Sequence, residues 1–470
     1  MRHALVVALL LVGSSAHAFC GFFVAGSNKD LANDASKVVL MRKGNRTVLT
    51  MSNNYKGPPS SFAMVVPVPV VLKKEEVKTL PADVFSHIDQ LSAPRLVEYW
   101  EQDPCNPQRM YDKSVFGGMP GAGAGRPKGG ADTGVKVEAR FSVGEYDIVI
   151  LSAKEASGLE TWLQQNHYSI PAGAAEALAP YVKSQMKFFV AKVDITKVKK
   201  DAQGTVVLSP LRFHYDAPEL RLPVRLGLLN SKGKQDLIVY VLSPDKRYEA
   251  ANYPNVFVPT NLEVVDGVKK SFASFYAQLF DATMAKHDNR AVVTEYAWQT
   301  SSCDPCPVPP LQASDLATLG DDVLSGNTAT AANASKGDYY GDFSSWVLTR
   351  LHTRYAKETL SEDLVFRAAS PIVGGRAGYD TKSLEAPGEA KPDATNNFQA
   401  RYIIRHAWTG KVACAKPVWG SWGGPPDGDE HVQAAQDLSS APRSGMELKK
   451  VVRSKLGALD LPGIATPKQH

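Results

Sequence analysis

Apolar and polar residues alternate through several stretches of this chain, the mark of strands with one buried face. Val135, Val137, Ala139, Phe141 and Val143 alternate with Lys136, Glu138, Arg140 and Ser142. Leu220, Leu222, Val224, Leu226 and Leu228 repeat the pattern, and Pro223, which lacks a backbone donor, marks an edge strand or a bulge there. Ala400, Tyr402, Ile404, His406 and Trp408 form a third alternating face. Further strands are predicted at 37–41, 47–52, 62–66, 146–151, 188–195, 237–242 and 291–298.

Helical periodicity is rarer. Ser152 and Glu155 have the spacing of a capping box ahead of Leu159, Trp162 and Leu163. A second helix is predicted over 174–184 and a short one over 82–91, ahead of Pro94. The strongest, over 268–284, carries Phe272, Phe275, Tyr276, Leu279 and Phe280 on one stripe, a pattern that core packing explains better than ligand binding. The fold class predicted is α+β and β-rich: antiparallel, sandwich-like sheets, a few packed helices and long glycine-rich loops.

Three stretches read as flexible loops. Residues 106–134 hold eight glycines and little that could be buried, 325–338 is small and polar, and 374–397 is rich in Gly, Pro, Ala and charge. The division expected is a β-rich unit over 19–265, an α+β region over 266–430 and a tail over 431–470.

The first residues change the picture. A basic start at Arg2 and His3, an apolar run over 4–12 and the small–x–small site Ala16-His17-Ala18 have the order of a cleavable signal peptide over 1–18. The apolar run is too short to span a bilayer, which takes about 20 residues. Export is therefore expected, with cleavage before Phe19 and a periplasmic or extracellular address. No later stretch reads as a transmembrane segment. A net charge of +5, spread along the chain, gives no argument for nucleic acid or an anionic membrane.

Five cysteines, Cys20, Cys105, Cys303, Cys306 and Cys414, would face an oxidising compartment, where cysteines pair. The pairing expected is Cys303–Cys306 with Cys20–Cys105, leaving Cys414 free; Cys306–Cys414 competes. Cys303-Asp304-Pro305-Cys306 could also be a redox couple or half of a zinc site. However, Pro307, Pro309 and Pro310 prevent the helix start that activates a redox cysteine, and no second pair completes a zinc set.

No catalytic constellation is legible. There is no H-E-x-x-H, nucleophile elbow, phosphate loop or calcium loop, and no metal or cofactor is expected. His406 reads as a packed or hydrogen-bonded strand residue. His352, between Arg350 and Arg354, could serve an anion. Trp408, Trp419 and Trp422, clustered among glycines and prolines, could form a binding platform or anchor a loop.

Several of these segments together carry a resemblance. They are Cys20-Gly21-Phe22-Phe23, the run from Phe62 to Pro69, Glu295-Tyr296-Ala297-Trp298 leading to Cys303, and Leu348-Thr349-Arg350-Leu351-His352 leading to Tyr355. The chain from Cys20 to about Trp408 resembles the exported bacterial family catalogued as domain of unknown function 2330. The resemblance implies export and a shared fold, and transfers no catalytic residue. The function expected is a non-enzymatic envelope or extracellular binding or structural protein. The alternatives are a thiol-disulfide or metal-dependent activity at Cys303–Cys306 and a hydrolase assembled from distant residues.

Overall fold

A computed structural model describes residues 22–25, 35–52, 62–81, 83–106, 135–200, 206–230, 233–325, 346–375, 388, 390–425, 432–435, 441, 443 and 446–453. The predicted signal peptide, Cys20, nearly all of the 106–134 loop and most of 325–338 and 374–397 lie outside them.

Two sheets face one another. The first is antiparallel, in the order β1 (Phe22–Ala25), β4 (Phe62–Val68), β9 (Lys187–Val193), β8 (Tyr146–Ala153) and β7 (Val135–Val143). The second is mixed and has eleven strands. Its path runs β22 (Lys391–Pro392), β21 (Ile372–Gly374), β23 (Asn397–Gln399), β18 (Val292–Gln299), β19 (Trp346–Tyr355), β14 (Gln235–Pro244), β2 (Ala35–Lys43), β3 (Arg46–Met51), β12 (Leu211–Asp216) and β5 (Val77–Thr79). The eleventh strand, β16 (Asn255–Phe257), pairs with β18. Strands from both sides of residue 265 interleave in this sheet.

The core follows from strand parity. On β14, Leu237, Val239 and Val241 share a cluster with Phe62, Met64 and Val66 of β4 and Ile148 and Ile150 of β8. Ile238, Tyr240 and Leu242 point the other way, onto helix α1 (Asp83–Ser92), which buries Val84, Phe85, Ile88 and Leu91. A strand covered on both faces needs no polar side, so residues 237–242 of β14 read as a continuous apolar run. The outer face of the five-stranded sheet is covered by α2 (Ala156–Gln165) and α3 (Ala174–Lys183), through Leu159, Trp162, Leu178 and Tyr181. The layers are thus helix, sheet, sheet, helix, and the β-rich α+β class holds.

A third sheet of five strands joins β17 (Leu262–Glu263), β24 (Arg401–His406), β6 (Arg95–Glu101), β25 (Trp422–Gly423) and β26 (Val432–Ala434). Helix α4 (Phe272–Ala285) lays its aromatic stripe on it: Phe272, Phe275 and Tyr276 are buried with Leu96, Tyr402 and Ile404. The core reading of that stripe is correct. Smaller sheets comprise β13 (Leu220–Leu222), β20 (Leu364–Ala369) and β15 (Arg247–Ala250), and the hairpin of β10 (Lys199–Lys200) with β11 (Val206–Val207). Among the described residues no helix is long and apolar enough to cross a membrane.

Three expectations need correcting. The strand predicted over 220–228 stops at Leu222, and a 3-10 turn over Arg225–Asn230 follows, because Pro223 cannot continue the ladder. Ser152 belongs to β8 and donates to Glu138 at 2.7 Å, so it forms no capping box; Glu155 is the N-cap of α2. Cys105 is bonded to Cys414, not to Cys20.

Candidate functional site

The helix-covered face of β19 carries the buried charge. Arg350 is 1% exposed; its Nη1 donates to Asp89 of α1 and its Nε to Glu295 of β18, both at 2.6 Å. Glu295 is the extra residue of a bulge, where the β18–β19 register shifts between Thr294 and Tyr296. A bulge re-aims a side chain, and here it turns a carboxylate onto the face that Arg350 and His352 occupy. His352 has Nδ1 2.7 Å from Glu295 and Nε2 3.0 Å from Asp236 of β14. Tyr276 of α4 donates to Glu295 at 2.7 Å, and Tyr240 of β14 to Asp89 at 2.6 Å. Arg443 donates to Asp236 at 3.1 Å, and Arg354 lies 3.7 Å from the same carboxylate.

The electrostatics follow from the pairing. Burial penalises the Glu295 carboxylate, but His352 and Arg350 outweigh it and hold its pKa below the ordinary value. Burial likewise penalises the His352 imidazolium, and Glu295 and Asp236 reverse the effect, so its pKa is raised. The anions that Arg350, His352 and Arg354 meet are thus the protein's own carboxylates, in a largely buried network that ties α1 and α4 to the central sheet. It has the character of a structural bolt.

A second buried cation, Arg95 at the start of β6, donates to the carbonyls of Pro305 and Leu91 at 2.6 Å and lies over the Tyr296 ring at 5.5 Å. Burial lowers its pKa to about 10. Pro305 sits inside the loop closed by the Cys303–Cys306 disulfide. Cys306 is exposed, and no helix starts between it and Ala313, so the cysteines have no helix N-terminus beside them.

The accessible candidate lies at the far end of β6. Segment 407–423 is laid across it by several bonds. Cys105 is disulfide-bonded to Cys414, Val418 N donates to Pro104 O at 2.8 Å, and Gln102 N donates to Ser421 O at 2.8 Å. Gly420 turns the chain with φ +82°, a left-handed value that favours glycine, and its N–H reaches Glu101 at 2.9 Å. This pins the segment's backbone while Val412, Val418 and Trp419 face out. Val412, Val418 and Trp419 are 38%, 58% and 52% exposed, and among the described residues only Ile195 joins them as an exposed large hydrophobic residue.

The three tryptophans singled out in sequence therefore divide. Trp419 is exposed. Trp422, half-buried, packs under Arg405, whose guanidinium carbon lies 5.4 Å from its ring centre. Trp408 is half-buried against Gly410. One is a presented ring and two are anchors. Beside them, His406 stacks on Trp100 at 4.6 Å and bonds Glu98 at 2.9 Å, as expected of a packed strand histidine. Glu98 and Asp266, close to His406, were not foreseen: 308 residues separate Glu98 from His406, and no local spacing links them. Glu295 left a trace, an acid inside the apolar run 291–298.

No curated protein and no solved structure matches this chain. A family model described as an uncharacterized protein conserved in bacteria matches residues 14–367, which takes in Asp89, Glu295, Arg350 and His352 and ends before β24 and the Cys414 segment. With most of its length matched, and with the buried network inside the match, the chain belongs to the bacterial family of domain of unknown function 2330.

Proposed function

We propose that this is an exported, non-catalytic binding protein that meets an envelope or extracellular partner through the face carrying Val412, Val418 and Trp419. The observation behind this reading is the concentration of exposed apolar side chains on one short segment whose backbone is pinned by a disulfide and by hydrogen bonds to the end of β6 and the residues that follow it. Exposed apolar residues gathered on a rigid support suit recognition, because little conformational entropy remains to be lost on binding. Aromatic rings supply most contact energy in such interfaces. Two disulfides among the described cysteines fit an oxidising compartment and so support export.

The experiment is retention of the purified protein by envelope fractions. The parent should be retained, and the double variant Val418→Ser, Trp419→Ala should lose at least about tenfold in affinity, as expected for removal of a central aromatic contact. Equal retention of parent and variant would remove this face from the function.

A further inference from the structure

We propose that Glu98, Asp266 and His406 form a binding site for a divalent first-row transition-metal cation, with zinc the ion that fits the donor set. Each residue offers one ligand atom, and the three atoms lie within 4.8 Å of one another. Ligands of one zinc ion, at about 2.0–2.2 Å from it, sit about 3.5 Å apart. The Nε2 of His406 and Oε2 of Glu98 are already 2.9 Å apart. Asp266 is exposed, and rotation of its side chain closes the remaining gap.

The scaffold is rigid where it matters. Glu98 and His406 stand on neighbouring parallel strands, with Ile404 opposite Glu98 and His406 opposite Trp100, so both side chains leave the same face of the sheet. On that face Leu96 and Ile404 are buried against α4, and the site opens where that core reaches solvent. The Trp100 ring, 20° from parallel with the imidazole, holds its plane. Asp266 opens the 3-10 turn that leads into α4, so the third ligand comes from a separate element. One imidazole with two carboxylates suits borderline cations and leaves positions for water.

The site already attracts a cation. Lys269, one turn after Asp266, has its ammonium 2.6 Å from the second oxygen of Glu98. Its side chain is 46% exposed, so it can swing into solvent when an ion arrives. Lys269 is therefore a competitor for the site, and a simple ion-pair cluster and a metal site predict opposite consequences of removing it.

The test is calorimetric titration of the chelator-stripped protein with zinc, with cobalt absorption as a second readout. One ion should bind per chain. His406→Ala and Glu98→Gln should each weaken that binding at least tenfold and remove the visible cobalt bands. Lys269→Met should tighten it severalfold, a gain that misfolding cannot produce. Absence of zinc binding at millimolar concentration, unchanged binding in His406→Ala or Glu98→Gln, or unchanged affinity in Lys269→Met would each overturn the proposal.

Discussion

His352 lies face to face with Phe280, ring centroids 4.0 Å apart and planes 19° from parallel, while each of its nitrogens meets a carboxylate. Two ionised carboxylates are both satisfied when both ring nitrogens carry protons, and these carboxylates raise the pKa of the ring against its burial. The surrounding carboxylates, Glu295 and Asp236, are held in turn by Arg350, Tyr276 and Arg443. Charge on one strand thus fixes two helices that the sequence separates widely.

The first prediction concerns pH. The folded pKa of His352 is raised, so its contribution is complete below the unfolded value of about 6.5 and is lost as pH rises through the folded value. Glu295 and Asp89 are depressed, Glu295 by His352 and Arg350, Asp89 by Arg350 and Lys37, in each case against an opposing burial effect. Their contribution is present above about pH 4 and is lost on acidification. Urea midpoints measured across pH should fall on both sides of a plateau. His352→Gln should lower the plateau and flatten the alkaline side. A parent curve with no alkaline fall would contradict a charged His352.

The second prediction isolates Arg350. Replacing it by Met leaves Asp89 and Glu295 buried without their shared partner, and breaking such a pair from one side costs about 3–5 kcal/mol. Arg350→Lys keeps the charge but cannot serve both acids through separate nitrogens, so an intermediate loss is expected. Urea unfolding of the two variants beside the parent checks the order. A Met variant as stable as the parent would mean that the network contributes no net stability.

These residues also mark where sequence stops being informative. The strands over 62–68 and 237–242 are legible because their own side chains carry the pattern, apolar throughout and buried on both faces. β19 has no such pattern: Thr349, Arg350, His352, Thr353 and Arg354 interrupt it, yet it is central and mostly buried. What allows the burial is pairing with Asp89, 261 residues away, and with Glu295, 55 residues away, and spacing cannot reveal partners at such separations. The same holds for the Cys105–Cys414 bond, whereas Cys303–Cys306, three residues apart, follows from proximity alone.

A third prediction tests the backbone beside β23. Gly375 has φ +80°, and a Cβ there would lie 2.5 Å from the carbonyl oxygen of Gln399. Its own carbonyl accepts from Asn261 at 2.6 Å, so the segment cannot simply move away. Gly375→Ala should destabilise by more than about 1 kcal/mol, since both the conformation and the space exclude a side chain. Thermal unfolding of the single variant decides it, and an unchanged melting temperature would show that the turn adapts.

The last prediction compares the two disulfides. Cys105–Cys414 closes a loop of 309 residues in sequence separation, Cys303–Cys306 one of three. In the chain-entropy account, a cross-link stabilises more as the loop lengthens, because it removes more conformations from the unfolded chain. The paired variant Cys105→Ser, Cys414→Ser should therefore lose about 2–5 kcal/mol, and Cys303→Ser, Cys306→Ser clearly less. The long-range bond has a second, local role: it anchors the segment that presents Val412, Val418 and Trp419. Without it, trypsin should cut after the exposed Lys411 faster than global unfolding alone explains, and retention by envelope fractions should fall together with that protection. If stability drops while cleavage at Lys411 and retention stay as in the parent, hydrogen bonds from Val418 to Pro104 and from Gly420 to Glu101 are enough to hold the face, and the disulfide acts only on the unfolded chain.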